Sequence, residues 1–273
     1  MRWVFTPRVE EYAAAAEPWL LADPVRNTVP LTVLHRCRAG MFAENPLLGW
    51  LEDENGTVIG AVSHCPPYPL LLASGMPQAA LPLLASDLIE LDRAVDGVTG
   101  PVEAVETFAR SWWRPERCRR AERLYRLERL APCDVPGSAR TITTAELDEA
   151  IRWFRRFHEE ADPGSTADYA PVVAARINRE ELIWWEDGGR RVAMAGVTAP
   201  IAGMSRVGPV YTPPELRGRG YGTAVTRAAS LRARESGAAE VLLISDLANQ
   251  TSNSIYLRLG YRPVGDYATI HFG

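Results

Sequence analysis

The fold of the second half of the chain is decided by the stretch Val210-Tyr-Thr-Pro-Pro-Glu-Leu-Arg-Gly-Arg-Gly-Tyr-Gly-Thr-Ala224. An apolar strand pattern ends here, a Pro pair stops strand pairing, and a Gly-rich turn leads at once into helical spacing. Small residues at Gly218, Gly220 and Gly222 let backbone N–H groups turn toward one point, and the new helix adds unpaired N–H groups and the positive end of its dipole. Such a turn predicts a binding site for a pyrophosphate.

The residues around these glycines narrow the class of phosphate site. Arg217 and Arg219 stand beside them as charged donors. A G-x-G-x-x-G dinucleotide fingerprint would need Gly at the position of Thr223, and a Walker loop would need a Lys. All 30 basic residues are Arg, so a pyridoxal Schiff base and the nucleotide-binding Lys of protein kinases are excluded as well. What remains is the pattern R-x-x-G-x-G, formed by Arg217, Gly220 and Gly222.

A second signature lies downstream, at Asn249-Gln-Thr-Ser-Asn-Ser-Ile-Tyr-Leu-Arg-Leu-Gly-Tyr261. The two segments together resemble the acyl-CoA pyrophosphate loop and the N-x(6)-Y-x-x-x-G-[FY] segment of the GNAT N-acetyltransferase superfamily. Asn249, Tyr256, Gly260 and Tyr261 occupy the matching positions of the second segment. The resemblance covers residues from about 139 to 272.

The resemblance implies that acetyl-CoA binds as a co-substrate between two parting strands, here Ser205–Thr212 and Val241–Ser245. Backbone groups near Val210 would pair with pantetheine, the loop would hold the pyrophosphate, and Asn249 would brace the strands or touch pantetheine. No metal is implied. The expected acetyl-CoA contacts are Val210, Tyr211, Thr212, Arg217, Gly218, Arg219, Gly220, Tyr221, Gly222, Thr223, Asn249 and Tyr256.

Acetyl transfer to an amine makes three chemical demands. The developing oxyanion needs a donor, for which the resemblance offers the Val210 backbone N–H. The leaving thiolate needs an acid, which the hydroxyl of Tyr256 can supply as the expected catalytic residue. The base stays open, since the segment Ser205–Thr212 contains no carboxylate. The remaining candidates are Glu181, Glu186, His158, Asp246, Tyr211 and the C-terminal backbone.

Several of these residues also have a structural interpretation that the sequence leaves open. Tyr256 can be a packed core residue, and Asn249 can cap the helix that follows it. His158 can be a surface or capping residue at the end of an amphipathic helix. Trp153, Trp184 and Trp185 fit apolar packing better than the wall of an acceptor pocket.

The order of elements predicts two copies of one unit. Helices, a hairpin with an Asn55-Gly56 turn, a helix, a short strand and a helix precede a strand within Arg117–Leu130. After a Pro- and Gly-rich linker, the second half repeats this order, with a helix capped by Thr144 and a break at Pro163-Gly164. We predict an α/β (α+β) fold of two tandem GNAT-like domains, each a mixed, mostly antiparallel sheet with helices on both faces. The predicted domains are residues 1–133 and 138–273.

The first copy lacks the phosphate loop. Where that loop would stand, the chain reads Tyr68-Pro-Leu-Leu-Leu-Ala-Ser-Gly-Met-Pro-Gln-Ala79, with Gly75 as its single glycine. We therefore expect residues 1–133 to be a degenerate, non-catalytic copy. The Arg-rich segment Arg110–Arg129 alternates with Glu residues, which predicts a solvated strand face with ion pairs.

Composition sets the remaining limits. The net charge of −4 gives no reason to expect nucleic acid. The four Cys and four His form no metal-binding spacing, and no apolar segment suits a signal peptide or membrane span. We expect a cytoplasmic monomer or homodimer that contacts no membrane.

The expected function is N-acetyl transfer from acetyl-CoA to a primary amine, on a small molecule or on a peptide or protein. A related transferase using aminoacyl-tRNA, and a non-catalytic acyl-CoA-binding sensor, are the alternatives.

Overall fold

In the computed structural model, which describes residues 1–41, 46–161 and 167–273, helices and strands alternate in a mixed α/β fold, as predicted. The predicted break at Pro163-Gly164 lies outside the described residues. Two compact units form. Unit 1 comprises Met1–Leu124 with Val264–Gly273, and unit 2 comprises Tyr125–Pro263.

The elements predicted for the first half occur in the predicted order, and two further strands, Arg2–Thr6 and Leu70–Leu72, accompany them. They are β1 (Arg2–Thr6), α1 (Val9–Leu21), α2 (Thr28–Arg38), β2 (Leu47–Glu52), β3 (Val58–His64), β4 (Leu70–Leu72), α3 (Ala80–Glu90), β5 (Gly97–Pro101), α4 (Val102–Ser111) and β6 (Glu116–Leu127).

The elements of the second half repeat this alternation. They are β7 (Ser138–Thr141), α5 (Leu147–Ala161), α6 (Ala170–Asn178), β8 (Leu182–Asp187), β9 (Arg190–Val197), β10 (Met204–Tyr211), α7 (Tyr221–Glu235), β11 (Glu240–Asp246), α8 (Gln250–Leu259) and β12 (Tyr261–Phe272).

The sheet of unit 1 runs from β1 to β5 in chain order and is then joined by β12. Its pairs are antiparallel except for β4 and β5, which run parallel. Apolar side chains of the strands pack against α3 and α4 around Leu84, Val98 and Phe108. The Arg-rich strand β6 bears ion pairs as predicted: Arg119 pairs with Glu106 and Glu116, and Arg123 pairs with Asp266.

The sheet of unit 2 has β7 to β11 in sequence, antiparallel up to β10 and parallel between β10 and β11. Strand alternation sends successive side chains to opposite faces. On β9, Ala193 and Ala195 pack toward α7 in one cluster, whereas Met194 packs in another cluster with residues of α5 and α6. Helices therefore cover both faces of this sheet, as predicted.

The structure differs from the sequence-based prediction at three places. The capping residue before α5 is Thr143, which forms a capping box with Glu146, rather than Thr144. The strands β1, β4 and β12 were not predicted, and β4 lies within Tyr68–Ala79, the segment assigned to the position of a phosphate loop. Because β12 pairs with β5, residues 264–273 belong to unit 1, and the end of β6 belongs to unit 2. The predicted limits of 1–133 and 138–273 therefore differ from the observed units.

Candidate functional site

A bulge in β10 changes which face of the sheet its side chains reach. Val207 pairs with Val197, but Val210 pairs with Ala195, so β10 has one residue more than β9 between these pairs. In a regular strand, residues 207 and 210 would face opposite sides. The bulge brings Val207 and Val210 to the same face, in the cluster formed with α7 and α8.

The parallel strands β10 and β11 pair over a short length only. Their register covers Met204–Arg206 opposite Glu240–Leu242. Beyond these pairs, β10 continues to Tyr211 and β11 continues to Asp246. Toward their C-terminal ends the two strands are thus no longer hydrogen-bonded to each other, as the resemblance implied.

The loop after β10 has the conformation that its glycines allow. Gly218 and Gly220 have φ of +78° and +84°, in the left-handed region that other residues rarely adopt. Gly220 directly precedes α7, and its carbonyl accepts the first helical hydrogen bond, from the Ala224 N–H at 3.0 Å. The N–H groups from Gly220 to Thr223 therefore have no acceptor within the helix, which suits them to bind an anion.

The end of β10, the loop and α8 meet at Gly222. A Cβ atom at this position would lie 3.5 Å from Thr212 Oγ1 and 4.0 Å from Ile255 Cδ1. At Gly218, in contrast, a Cβ atom would have no neighbour within 4 Å, so this side of the loop is open. An open set of N–H groups at a helix start, next to parted strands, fits the diphosphate and pantetheine of a CoA thioester.

The two loop arginines differ in their contacts. The Arg217 side chain donates through Nε to the Thr212 carbonyl at 2.9 Å, and its Nη2 lies on the Glu160 carboxylate. Arg219 is exposed. The phenol of Tyr221 donates to Asp187 at 2.6 Å, and this bond raises the pKa of Tyr221. Only the backbone of Tyr221 therefore remains for a phosphate contact.

Tyr256 lies on α8 inside the core of unit 2. Its ring centroid is 6.3 Å from that of Tyr125 and 6.2 Å from that of Tyr261. Burial raises the pKa of Tyr256 to about 12, although a hydrogen bond with Ser252 opposes the shift. The phenol is therefore protonated at neutral pH, as an acid for a leaving thiolate must be. These contacts fit the packing interpretation, and the catalytic role of Tyr256 stays a prediction.

Asn249 caps α8, and its side chain accepts the Ser252 N–H at 3.0 Å. The Asn249 backbone N–H donates to the Asp246 carbonyl at the end of β11 at 3.1 Å. The side-chain contact there is made by Asn253, which donates to the same carbonyl at 2.9 Å and accepts the Tyr125 hydroxyl at 3.0 Å. No sequence signal marked Asn253, since it lies at an unspecified position of the motif.

The carboxylates considered as bases are engaged by other groups. Both oxygens of Glu181 pair with Arg179, and Glu186 pairs with Arg140. Asp246 accepts the Ala248 N–H in a turn at 2.7 Å. These contacts are structural and single out none of the three as a base.

The two other base candidates lie near α5. The His158 ring stacks on Tyr169 with centroids 4.3 Å apart, and it also contacts Phe154 and Phe157. Burial, and then Glu160, raise the pKa of Tyr211, which makes that phenol a poor base at neutral pH.

The tryptophans pack as predicted. Trp153 makes edge contacts with both Trp184 and Tyr211, at centroid distances of 4.9 and 5.6 Å. Trp185 donates to the Pro136 carbonyl at 2.9 Å.

The corresponding place in unit 1 is closed. Strands β4 and β5 pair at Leu71 and Thr99, and a Cβ atom on Gly100 would lie 2.8 Å from the Leu72 carbonyl oxygen. The Ser74 N–H donates to the buried Asn27 side chain at 2.8 Å. The Ser74 N–H is therefore already bonded within unit 1.

Within the described ranges, no group of three or more His, Cys, Asp or Glu residues is arranged to hold a metal ion. No helix in the same residues has the length and apolar character needed to cross a membrane.

The comparison with family models matches residues 147–261 to the acetyltransferase (GNAT) family. This segment contains the loop, the parted strands and α8, so residues 147–261 carry a GNAT-family domain, as the sequence motifs implied. No curated protein matches the sequence.

Solved structures similar to the whole chain include a GNAT-family acetyltransferase from Colwellia psychrerythraea, with 13% identity, a TM-score of 0.64 and 100% of both chains covered. A GCN5-related N-acetyltransferase from Sphaerobacter thermophilus has 15% identity and a TM-score of 0.66, with 98% of this chain and 94% of that chain covered. A tandem GNAT protein of clavulanic acid biosynthesis has 13% identity and a TM-score of 0.58, with 100% and 99% covered. The chain thus has the fold of tandem GNAT proteins.

Proposed function

We propose that unit 2 is an N-acetyltransferase that moves the acetyl group of acetyl-CoA to a primary amine by direct attack on the thioester. The observation that carries the proposal is the meeting of three elements at Gly222: the end of the bulged strand β10, the start of α7 and the helix α8 that bears Tyr256. Unit 1 serves as a non-catalytic copy in this proposal.

Binding would use the backbone more than side chains. The N–H groups from Gly220 to Thr223 would hold the diphosphate at the positive end of the α7 dipole. Backbone groups of Val210 and Thr212 would pair with pantetheine in the gap where β10 leaves β11. Arg219 is exposed and adds positive charge at the loop.

In the chemical step, the amine nitrogen bonds to the thioester carbon while the carbon–sulfur bond breaks. The Val210 N–H stabilises the developing oxyanion. The thiolate takes the phenolic proton of Tyr256, and the excess proton of the amine leaves to water or to a base supplied with the acceptor.

A CoA-release assay with acetyl-CoA and a panel of amines tests the proposal. The panel should include amino acids, aminosugars, polyamines, peptide N-termini and a Lys-rich protein, because acceptor loops vary freely on one scaffold. We expect CoA binding by calorimetry and amine-dependent thiol release with at least one acceptor. Binding without release across the panel would favour a sensor, and binding of aminoacyl-tRNA in place of CoA would favour the tRNA-dependent class.

A further inference from the structure

A buried arginine reaches the bulge of β10 from the helix α6. Nη2 of Arg176 donates to the Gly208 carbonyl at 2.8 Å. The Arg176 side chain is only 11% exposed. Gly208 lies inside the bulge, two residues before the Val210 N–H that is the proposed oxyanion donor.

The contact between Arg176 and Gly208 requires a glycine, with no side chain, at position 196 of the neighbouring strand β9. A Cβ atom on Gly196 of β9 would overlap both Nη2 of Arg176 and the Gly208 carbonyl oxygen. Gly196 is the residue that β9 places opposite the bulge, between Ala195 and Val197. Glycine at this position is thus what lets the guanidinium reach the carbonyl.

The charge of Arg176 is balanced at its other side. Its Nε lies 3.5 Å from Oε2 of Glu181, whose side chain is 10% exposed. Glu181 also binds Arg179, which is 46% exposed and has a Glu181 oxygen 3.0 Å from its Nε. The two arginines therefore share one carboxylate, and Arg176 is the one that donates to the bulge.

We infer that Arg176 is a positioning residue, which holds the Gly208 peptide so that the Val210 N–H points at the thioester carbonyl. The inference rests on the proposed function. A bulge leaves backbone groups without a ladder partner, and a buried carbonyl without a donor is destabilising. A guanidinium is a permanently charged donor of fixed geometry. It therefore restricts the rotation of the peptide planes between Val207 and Val210.

The variants separate this role from a general effect on folding. Arg176→Met removes the donor, and Arg176→Lys keeps the charge with a shorter reach. Gly196→Ala leaves Arg176 in the chain, but its Cβ would displace both the guanidinium and the Gly208 carbonyl, so this variant disturbs the contact from the side of the bulge. Arg179→Gln is the matched control, because Arg179 binds the same carboxylate.

The decisive readout is the Val210 amide resonance in protein labelled with [15N]valine, assigned by its loss in Val210→Ile. In the parent protein we expect this resonance to differ between the CoA and acetyl-CoA complexes, since only acetyl-CoA has the carbonyl. In Arg176→Met and Gly196→Ala the difference should vanish, while Arg179→Gln should retain it. CoA affinity should stay within about twofold, and kcat should fall about tenfold or more, because small misplacements of a catalytic group are costly.

Three results would overturn the inference. One is an unchanged Val210 difference and unchanged kcat in Arg176→Met. Another is an equal loss in Arg179→Gln, which would assign the effect to Glu181. If Arg176→Met does not fold, Arg176→Lys and Gly196→Ala decide by the same readout, and unchanged values there count against the inference. Absence of CoA binding by the parent protein would instead overturn the proposed function, and the inference with it.

Discussion

The guanidinium of Arg217 lies on the carboxylate of Glu160, with Nη2 2.7 Å from Oε1 and 2.8 Å from Oε2. Both side chains are about half exposed, at 48% and 49%. Arg217 of the loop is therefore held by the last turn of α5. The negative charge of Glu160 consequently stands close to the place where a diphosphate would bind.

We expect Glu160→Gln to strengthen CoA binding. The change removes a repelling charge and frees Arg217, and exposed ion pairs are worth about 0.2–1 kcal/mol, so the affinity should rise about 1.5- to 5-fold. Calorimetry with CoA at low and high salt checks this, and the gain should shrink at high salt. Glu159→Gln, on the neighbouring exposed residue, is the control. Weaker binding by Glu160→Gln would mean that the pair holds the loop in its binding shape.

Gly218, which precedes α7, offers a test of the loop because Gly237, which follows α7, has a closely matching conformation. Gly218 and Gly237 have φ of +78° and +85°, and a Cβ atom at either would have no neighbour within 4 Å. Alanine should cost each variant about 1–2 kcal/mol of folding free energy, because the left-handed conformation is strained.

Only Gly218→Ala should lose CoA affinity, by about tenfold or more, since hydrogen bonds to charged groups are worth about 1.5–3 kcal/mol. Thermal unfolding and CoA calorimetry on the two variants provide the measurements. An equal loss of affinity in Gly237→Ala would show that the effect is a general consequence of destabilisation.

Tyr256→Phe should lower turnover with little change in acetyl-CoA affinity, because it removes the acid that protonates the thiolate. General acid catalysis contributes about a hundredfold or more. Tyr261→Phe is the matched control, since its buried hydroxyl bonds Ser230 at 2.7 Å and has no proposed chemical role. If both variants keep the parent kcat, Tyr256 is a packed core residue and the thiolate takes its proton elsewhere.

The pKa of Tyr256 gives a separate prediction about stability. Burial raises this pKa from 10.0 to about 12. Below pH 10 the phenol is protonated in both states, so its contribution to stability is fully present. Between pH 10 and 12 the unfolded state ionises first, and the contribution is lost. The stability of the parent protein should therefore fall more than that of Tyr256→Phe in this range, measured as unfolding midpoints. Parallel curves would contradict the buried, raised-pKa phenol.

Local patterns predicted the parts of the fold that local chemistry controls. The Asn55-Gly56 pair predicted the hairpin of β2 and β3, and Gly56 in its turn has a φ of +78°. Gly218 and Gly220 predicted the loop before α7, and the downstream motif predicted that Tyr256 lies on the helix α8. In each case the residues that decide the conformation lie next to one another in the chain.

Features that depend on distant partners escaped prediction. The strand β12 pairs with β5, which lies more than a hundred residues earlier, and nothing in its own sequence selects that partner. Arg176 and Gly208 are 32 residues apart, and neither belongs to a motif. Asn249 matched the family position and proved to be the helix cap, while Asn253 made the side-chain contact with β11. A motif thus identified the segment but not which of its side chains brace the strand.

The number of CoA molecules bound per chain tests the difference between the two copies. In unit 1, Gly100 of β5 lies so close to Leu72 of β4 that no gap separates the two strands. The Ser74 N–H already donates a hydrogen bond to the Asn27 side chain. The Tyr267 hydroxyl also donates to the Arg26 carbonyl at 2.9 Å, next to Ser74. Opening a groove there would break these bonds and the parallel pairing together.

We therefore expect calorimetry to give one CoA per chain, with a single binding phase. Gly218→Ala should weaken that phase without exposing a second one, because the altered loop belongs to unit 2 alone. Tyr267→Phe, which removes a hydroxyl from unit 1, should leave the stoichiometry and the affinity unchanged. Two sites per chain, or binding that survives in full after the loop of unit 2 is altered, would show that unit 1 also accepts the nucleotide.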